Sequence, residues 1–268
     1  MSNYQLTQIN IYPVKSLPGI SLQHSLVEER GLQYDRRWML VDENNSFITQ
    51  RVFPQILFIN QRIENENLIF SHDKKELSPL IIDLNIIPTQ EIEVKIWDDI
   101  CIAKMYDQEI NEWFSQALDT NCSLVHMPES TERKTSVKYF PKSKNVSFAD
   151  GYPFLIIGEE SLNLLNSKLD EKISINNFRP NLVFSGGKPH DEDNWQNINI
   201  GEVKFSIVKP CARCVITTID SKGKKNKEPL ATLNTNRNFN NKIMFGQNAL
   251  SHNVGKIKIG DPIIPEQT

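Results

Sequence analysis

Apolar residues in the first half of the chain recur mostly at alternate positions, the period of a half-buried strand. Gln5 to Val14 alternates imperfectly, with Pro13 at its close. Arg37 to Val41 and Phe47 to Thr49 flank Asp42-Glu43-Asn44-Asn45-Ser46, a combination that predicts a hairpin turn. Glu91 to Trp97 alternates cleanly, with Ile92, Val94 and Ile96 on one face. The period then changes. Ile110, Trp113, Phe114 and Ala117 stand at i, i+3, i+4 and i+7, which predicts a helix, and Asp107 is placed to cap its start.

Ser123 to His126 predicts a further strand. The polar stretch from Pro128 to Val146 mixes both charge signs around two prolines and predicts an inter-domain connection or a mobile loop. Beyond it, Pro153 to Ile157 predicts a buried strand. Glu159 to Leu169 predicts a helix with Leu162, Leu165 and Leu169 inward. Short strands are predicted at Leu182–Phe184, Val203–Val208, Val215–Ile219, Lys242–Phe245 and Lys256–Ile259, and Gly201-Glu202 fits a tight turn before the alternation of Val203, Phe205 and Ile207. Many short strands and few helices predict a mainly β (α+β) chain of barrel-like architecture, not a doubly wound α/β sheet. No sequence repeat is present, and Ser185-Gly186-Gly187 is too short to be a nucleotide-binding glycine pattern.

Composition narrows the function. A length of 268 residues suits one large domain or two of ordinary size. The net charge of −3 argues against nucleic acid as the main partner, because phosphate-backbone binding needs a basic surface. It leaves room for a small pocket that holds one phosphate. The N-terminal stretch lacks a signal-peptide pattern, and no run approaches the roughly 18 continuous apolar residues of a membrane span. With only Cys101, Cys122, Cys211 and Cys214, the chain is expected in a reducing cytoplasm, without a membrane anchor.

The sharpest chemical feature is Lys209-Pro210-Cys211-Ala212-Arg213-Cys214-Val215-Ile216-Thr217-Thr218-Ile219-Asp220. A structural zinc site would need a second such pair or two histidines at matching spacing, and the other cysteines are more than eighty residues away. A thioredoxin-type redox pair should open a helix, whereas Val215 to Ile219 is β-forming at nearly every position. Two readings remain open: one cysteine is a lone metal-ligating thiolate beside Arg213, or both are buried small hydrophobes. Tyr12-Pro13-Val14-Lys15-Ser16 and Tyr34-Asp35-Arg36-Arg37-Trp38 each place cationic and hydroxyl donors at a strand boundary, where they could bind a phosphate monoester or simply be solvated. Asn177-Phe178-Arg179-Pro180-Asn181 and Asp150 lead into apolar strands, as cofactor contacts or as ordinary turn formers.

Taken in order, Y-P-V-K-S, D-R-R-W-M-L-V, N-F-R-P-N, K-P-C-A-R-C-V-I-T-T-I-D, K-E-P-L-A-T-L, F-G-Q-N and I-G-D-P resemble the MOSC proteins. The subgroup is that of the mitochondrial amidoxime-reducing components and their bacterial single-chain relatives. The resemblance implies an N-terminal β-rich domain over 1–122 packed on a MOSC β-barrel over 123–268, with a few helices and a molybdenum–molybdopterin cofactor between them. It implies that Cys214 is the metal's protein ligand, with Cys211 nearby. It implies that Lys15, Ser16 and Arg36 hold the cofactor through its phosphate and pterin, that Arg179 and Asn181 contact it, and that Asp150 lies near the metal as a proton relay. Arg213 would favour the Cys214 thiolate. The implied reaction is two-electron reduction of small N-hydroxylated compounds (N-hydroxylated bases, hydroxylamines, amidoximes) to amines or amidines. Some bacterial relatives carry an iron–sulfur domain, which needs a cysteine cluster. No cysteine lies beyond Cys214, so electrons are expected from a separate ferredoxin-like protein or flavin reductase. The alternatives are a non-catalytic carrier of the cofactor, or a sulfur-transfer protein using a Cys214 persulfide.

Overall fold

The computed structural model describes residues 4–266. In chain order the elements that position the site are β1 (Tyr4–Ile11), β2 (Trp38–Val41), β3 (Gln90–Ile96), β4 (Asp99–Met105), α1 (Gln108–Leu118) and β5 (Ser123–His126). The second half adds β6 (Phe154–Gly158), α2 (Glu159–Asn166), β7 (Leu182–Ser185), β8 (Asn197–Ile200) and β9 (Val203–Ala212). It ends with α3 (Leu230–Asn236), β10 (Lys242–Ser251) and β11 (Pro262–Pro265).

Seven strands close into a barrel in the order β6-β7-β1-β11-β8-β9-β10, with β10 returning to β6 through pairs such as Phe154↔Ala249. Only β6 and β7 run parallel. The inward faces supply Leu6, Ile9, Ile11, Phe154, Ile156, Leu182, Phe184 and Phe205, all at most 1% exposed, so the interior is a packed core and not a channel. The mainly β fold with few helices is the one the strand-rich pattern called for.

A second sheet, β2-β5-β4-β3, lies outside the barrel. Sheet membership does not follow chain order. The chain's first strand is a barrel stave between β7 and β11, while β5, just past residue 122, pairs with β2 and β4. Segments that pass between the two sheets therefore carry the two basic motifs of the first half. They lie side by side: Arg36 N donates to Tyr12 O at 3.0 Å, Trp38 N to Pro13 O at 3.1 Å and Lys15 N to Trp38 O at 2.8 Å.

Local physics decided where pattern and structure agree. The amphipathic stretch around Trp113 is α1, and Asp107 accepts from Ile110 N at 3.4 Å as its N-cap. The pair Gly201-Glu202 is the two-residue turn of the β8–β9 hairpin, with Gly201 at φ 55°. Val215 to Ile219 is not a strand; Val215–Thr218 forms a single 3-10 turn with extended Cys214 ahead of it. Two threonine hydroxyls turn the chain back, Thr217 Oγ1 onto Cys214 O at 2.9 Å and Thr218 Oγ1 onto Val215 O at 2.8 Å. Phe47–Thr49 shrinks to an isolated bridge from Phe47 to Val41. β10 runs on to Ser251, well past Phe245. Its apolar alternation is broken by Gly246, which sits at φ 76° where a Cβ would approach Ile157 Cγ1 to 2.6 Å.

The polar stretch 128–146 is irregular, as expected, but it is pinned. Arg133, 5% exposed, donates to Ser147 O at 2.7 Å and Ala149 O at 2.6 Å and pairs with Asp99 at 2.8 Å. Its grip shapes the turn that presents Asp150.

Candidate functional site

All seven residues singled out in the sequence, Lys15, Ser16, Arg36, Asp150, Arg179, Asn181 and Cys214, line one cavity between the barrel and the second sheet. The cavity holds about 840 Å³ of free space, part of it open solvent. The chain brings these residues in from strand boundaries: the end of β1, the start of β2, the starts of β6 and β7, and the end of β9.

The backbone is strained where it meets the cavity. Ser16, Arg36 and Arg179 have φ of 73°, 52° and 54°, in the left-handed region that non-glycine residues avoid at a cost of about 1–3 kcal/mol each. Packing enforces these conformations. Arg36 Nη1 donates to Asp35 Oδ2 at 2.6 Å and to Asn181 Oδ1 at 3.2 Å, and the 1%-exposed Asp35 also accepts from Tyr12 N at 2.8 Å. Arg179 Nη1 donates to Leu17 O at 2.7 Å. The guanidinium groups of Arg36 and Arg179 lie 4.5 and 4.2 Å from the ring centre of Tyr12, which holds both by cation–π contact. Burial pushes the Tyr12 hydroxyl up to about 12 although both arginines oppose the shift, so the ring stays neutral. Burial brings Arg179 down to about 10, still a cation at neutral pH. For Arg36 burial acts in the same downward direction, but contact with Asp35 outweighs it and holds the group above its ordinary value.

Asp150 and Lys15 form a pair, with Lys15 Nζ 2.5 Å from Asp150 Oδ1 and 2.8 Å from Phe148 O. Trp97 Nε1 donates to the same carboxylate oxygen at 3.2 Å. Lys15 is buried, whereas the Asp150 side chain is open to the cavity. Burial lowers the Lys15 pKa against the pull of Asp150. Burial would raise Asp150, but the Lys15 charge and hydrogen bond, then the Trp97 donor, overcome it and hold the carboxyl well below the usual range. The Asp150 carboxyl is therefore ionised at neutral pH. The two groups act oppositely on stability. The Asp150 contribution is present above the ordinary carboxylate range and is lost as pH falls toward its folded value. The depressed Lys15 makes stability rise with pH between its folded and unfolded values.

Arg213 does not serve Cys214. Cys211 and Arg213 are two apart in extended chain and share a side, so Arg213 Nη1 lies 3.0 Å from Cys211 Sγ. The guanidinium beside Cys214 is that of Arg51, whose Nη2 lies 3.5 Å from Sγ and whose plane sits 4.4 Å from the Trp97 ring centre. Sequence reasoning missed Arg51 and Trp97. Arg51 follows the Phe47–Thr49 segment as Lys15 follows β1, and Trp97 closes the cleanest alternation in the chain; those boundary positions were the available signal.

The lining carries five cations, Lys15, Arg36, Arg51, Arg179 and Arg213, against the single carboxylate of Asp150. A net excess of four positive charges in a chain of net charge −3 is built for an anion. The buried Nε of Arg213 has no protein partner, which leaves a donor for a bound group. Among the described residues no cluster of three or more His, Cys, Asp or Glu side chains could by itself hold a metal ion. The donor set, the two half-buried thiols of Cys211 and Cys214 plus many cationic and amide donors, fits a soft metal carried by an anionic organic cofactor. No helix among the described residues is long and apolar enough to cross a membrane.

Comparison with known proteins places the chain among relatives. The MOSC N-terminal beta barrel domain matches residues 3–121 and the MOSC domain matches residues 143–264. Mitochondrial amidoxime-reducing component 1 of Mus musculus is 31% identical over 282 residues, covering 96% of this chain and 81% of that protein. The Homo sapiens protein of the same name is 29% identical over 277 residues, covering 96% and 82%. Molybdenum cofactor sulfurase of Solanum lycopersicum is 31% identical over 289 residues, which cover 97% of this chain but 35% of the sulfurase. The chain thus spans about a third of that sulfurase's length.

Proposed function

Because the chain belongs to the MOSC protein family that includes the mitochondrial amidoxime-reducing components, we propose that it binds a molybdenum–molybdopterin cofactor in this cavity and reduces N-hydroxylated compounds with electrons from a separate donor protein. One observation carries the reading: two half-buried thiols, Cys214 among them, and five cations face a single cavity in an otherwise acidic chain. When bound, the cofactor supplies the two-electron chemistry of R–NH–OH + 2 e⁻ + 2 H⁺ → R–NH₂ + H₂O.

The protein's part is binding, orientation and proton supply. Cys214 would offer the sulfur that suits a soft metal, which binds the thiolate form, with the Arg51 guanidinium 3.5 Å away. Lys15, Ser16, Arg36 and Arg179 hold phosphate and pterin oxygens through charge-assisted hydrogen bonds, and Asn181 fixes the Arg36 side chain while lining the same wall. Lys15 Nζ, hydrogen-bonded to the Asp150 carboxylate that opens to the cavity, would supply a proton to the reaction, and Asp150 would guide its replacement from water.

An Asp150→Asn enzyme tests the proton role. Lys15 would lose its counter-charge, burial would depress its pKa further, and the protonated donor would vanish at lower pH. The alkaline limb of the kcat profile should therefore move toward acid, with kcat reduced by about 10²-fold. An unchanged rate and an unchanged profile would remove Asp150 from the reaction.

The reading itself is tested by making the protein in hosts with and without molybdopterin synthesis. The first preparation should contain near-stoichiometric molybdenum and reduce benzamidoxime or N-hydroxycytosine with dithionite-reduced viologen; the second should do neither. Molybdenum without turnover would mark a carrier, and a cyanide-labile sulfur on Cys214 would mark sulfur transfer.

A further inference from the structure

We propose that the lysine-rich loop 134–144, on the flank of the cavity mouth, is the docking surface for an acidic one-electron carrier protein; the inference rests on the cavity being a reductase site. Residues 133–149 contain Arg133, Lys134, Lys138, Lys142 and Lys144 and not one aspartate or glutamate, although the whole chain has 33 acidic and 30 basic residues. Arg133 is buried and structural, as described above. Lys138 and Lys142 are exposed and Lys144 is half-buried. No carboxylate lies within ion-pair distance of these three lysines among the described residues. Their charge is available to a partner.

The loop is anchored and continuous with the cavity wall. Thr135 N donates to Lys144 O at 2.9 Å, and Lys144 N donates to Thr135 Oγ1 at 3.0 Å, which fixes the base of the loop. Lys209 Nζ lies 4.8 Å from the ring centre of Tyr139 on the loop and 5.3 Å from that of Tyr152, a cavity-lining residue. Tyr152 Oη donates to Ser136 O at 3.4 Å. Between the lysines stand two exposed apolar side chains, Val137 at 64% and Tyr139 at 44%. Here the pair stands among lysines that no carboxylate neutralises. An apolar centre within a ring of one charge sign is how a short-lived, electrostatically steered protein interface is built.

The reaction calls for such an interface. Each N–O bond reduced consumes two electrons, so a reduced iron–sulfur or flavin protein giving one electron per visit must dock, give up its electron and leave oxidised, twice per turnover. An anionic lipid surface would attract the same lysines, but a bilayer against this flank would cover the mouth through which small substrates enter. An acidic protein that comes and goes does not have that defect.

The test uses the cofactor-loaded protein, a plant-type [2Fe–2S] ferredoxin and a flavodoxin as acidic carriers, and reduced viologen as a donor that needs no docking. Three proteins are compared: wild type, the triple variant Lys138→Glu/Lys142→Glu/Lys144→Glu, and the charge-keeping triple variant with arginine at the same positions. Wild type should bind at least one carrier with an affinity that falls steeply with salt. The glutamate variant should lose about tenfold or more in carrier-driven kcat/KM, with a flattened salt dependence, while its viologen-driven rate stays at the wild-type value. The arginine variant should keep both rates. Equal carrier binding and carrier-driven rates in the wild-type and glutamate proteins would overturn the proposal. So would salt-insensitive binding of both carriers, or loss of phosphatidylserine-vesicle binding in the glutamate variant with carrier-driven rates untouched. A wild-type protein that is inactive even with viologen would instead remove the reductase reading, and this docking role with it.

Discussion

A Cys214→Ser protein should fold normally and lose more than about a hundredfold in molybdenum retention, because removing groups that merely support a metal ligand already costs about 10–100-fold. The structural cost of the change is small. Cys214 Sγ is half-buried and has one polar neighbour, Arg51 Nη2 at 3.5 Å. The backbone role of the residue, accepting Thr217 N at 3.1 Å through its carbonyl, does not involve the side chain. Stability should therefore move by no more than about 0.5 kcal/mol. A serine hydroxyl at this position is neither soft nor ionised at neutral pH, so it cannot replace the thiolate. Cys211→Ser is the control. That thiol lines the same cavity but meets the Arg213 guanidinium at 3.0 Å, and its loss should leave most of the metal in place. Metal-to-protein ratios of the two variants, read beside their denaturation midpoints, decide the matter. Full molybdenum in Cys214→Ser with depletion in Cys211→Ser would show that the metal is assigned to the wrong sulfur.

The reach of sequence reasoning can be traced through these same residues. Short motifs at strand boundaries were legible because Lys15, Arg36, Arg179 and Cys214 each interrupt or follow an apolar run, where a polar group has no local reason to stand. What pattern could not supply was pairing across long sequence distance. Arg51 meets Cys214 over 163 positions, and nothing near either residue announces it. The assignment of Arg213 to Cys214 failed for a simpler reason: residues two apart in extended chain share a side, so the Arg213 guanidinium goes to Cys211 Sγ and Phe178 O and not to its sequence neighbour. β-propensity misread Val215 to Ile219, because threonine hydroxyls that bond back to carbonyls three residues earlier turn the chain more strongly than branched side chains extend it. The pinning of 128–146 was hidden too. Composition shows that Arg133 is charged, and only the fold shows that it is buried against three backbone carbonyls.

Replacing Asp35 by asparagine should destabilise the protein by about 3–5 kcal/mol, the cost of stranding one member of a buried ion pair. Asp35 does not itself line the cavity, yet it is the counter-charge on which the cationic wall is assembled. Its Oδ2 accepts from Arg36 Nη1 at 2.6 Å, its Oδ1 accepts from Tyr12 N at 2.8 Å, and it is 1% exposed. Asparagine has the same shape and can still accept from Tyr12. It then turns an amide N–H toward the guanidinium, so a donor faces a donor and the Arg36 charge is left without compensation in a buried setting. Arg179 adds to the penalty, since it shares the Tyr12 ring with Arg36 and the two cations repel once the carboxylate is gone. The effect should appear as a lower denaturant midpoint with an unchanged slope. Added inorganic phosphate should recover part of the loss, because an anion in the cavity restores the missing charge and binds only the folded state. A change below about 1 kcal/mol would mean that water reaches Arg36 freely, and that the cavity's positive field is weaker than its residues imply.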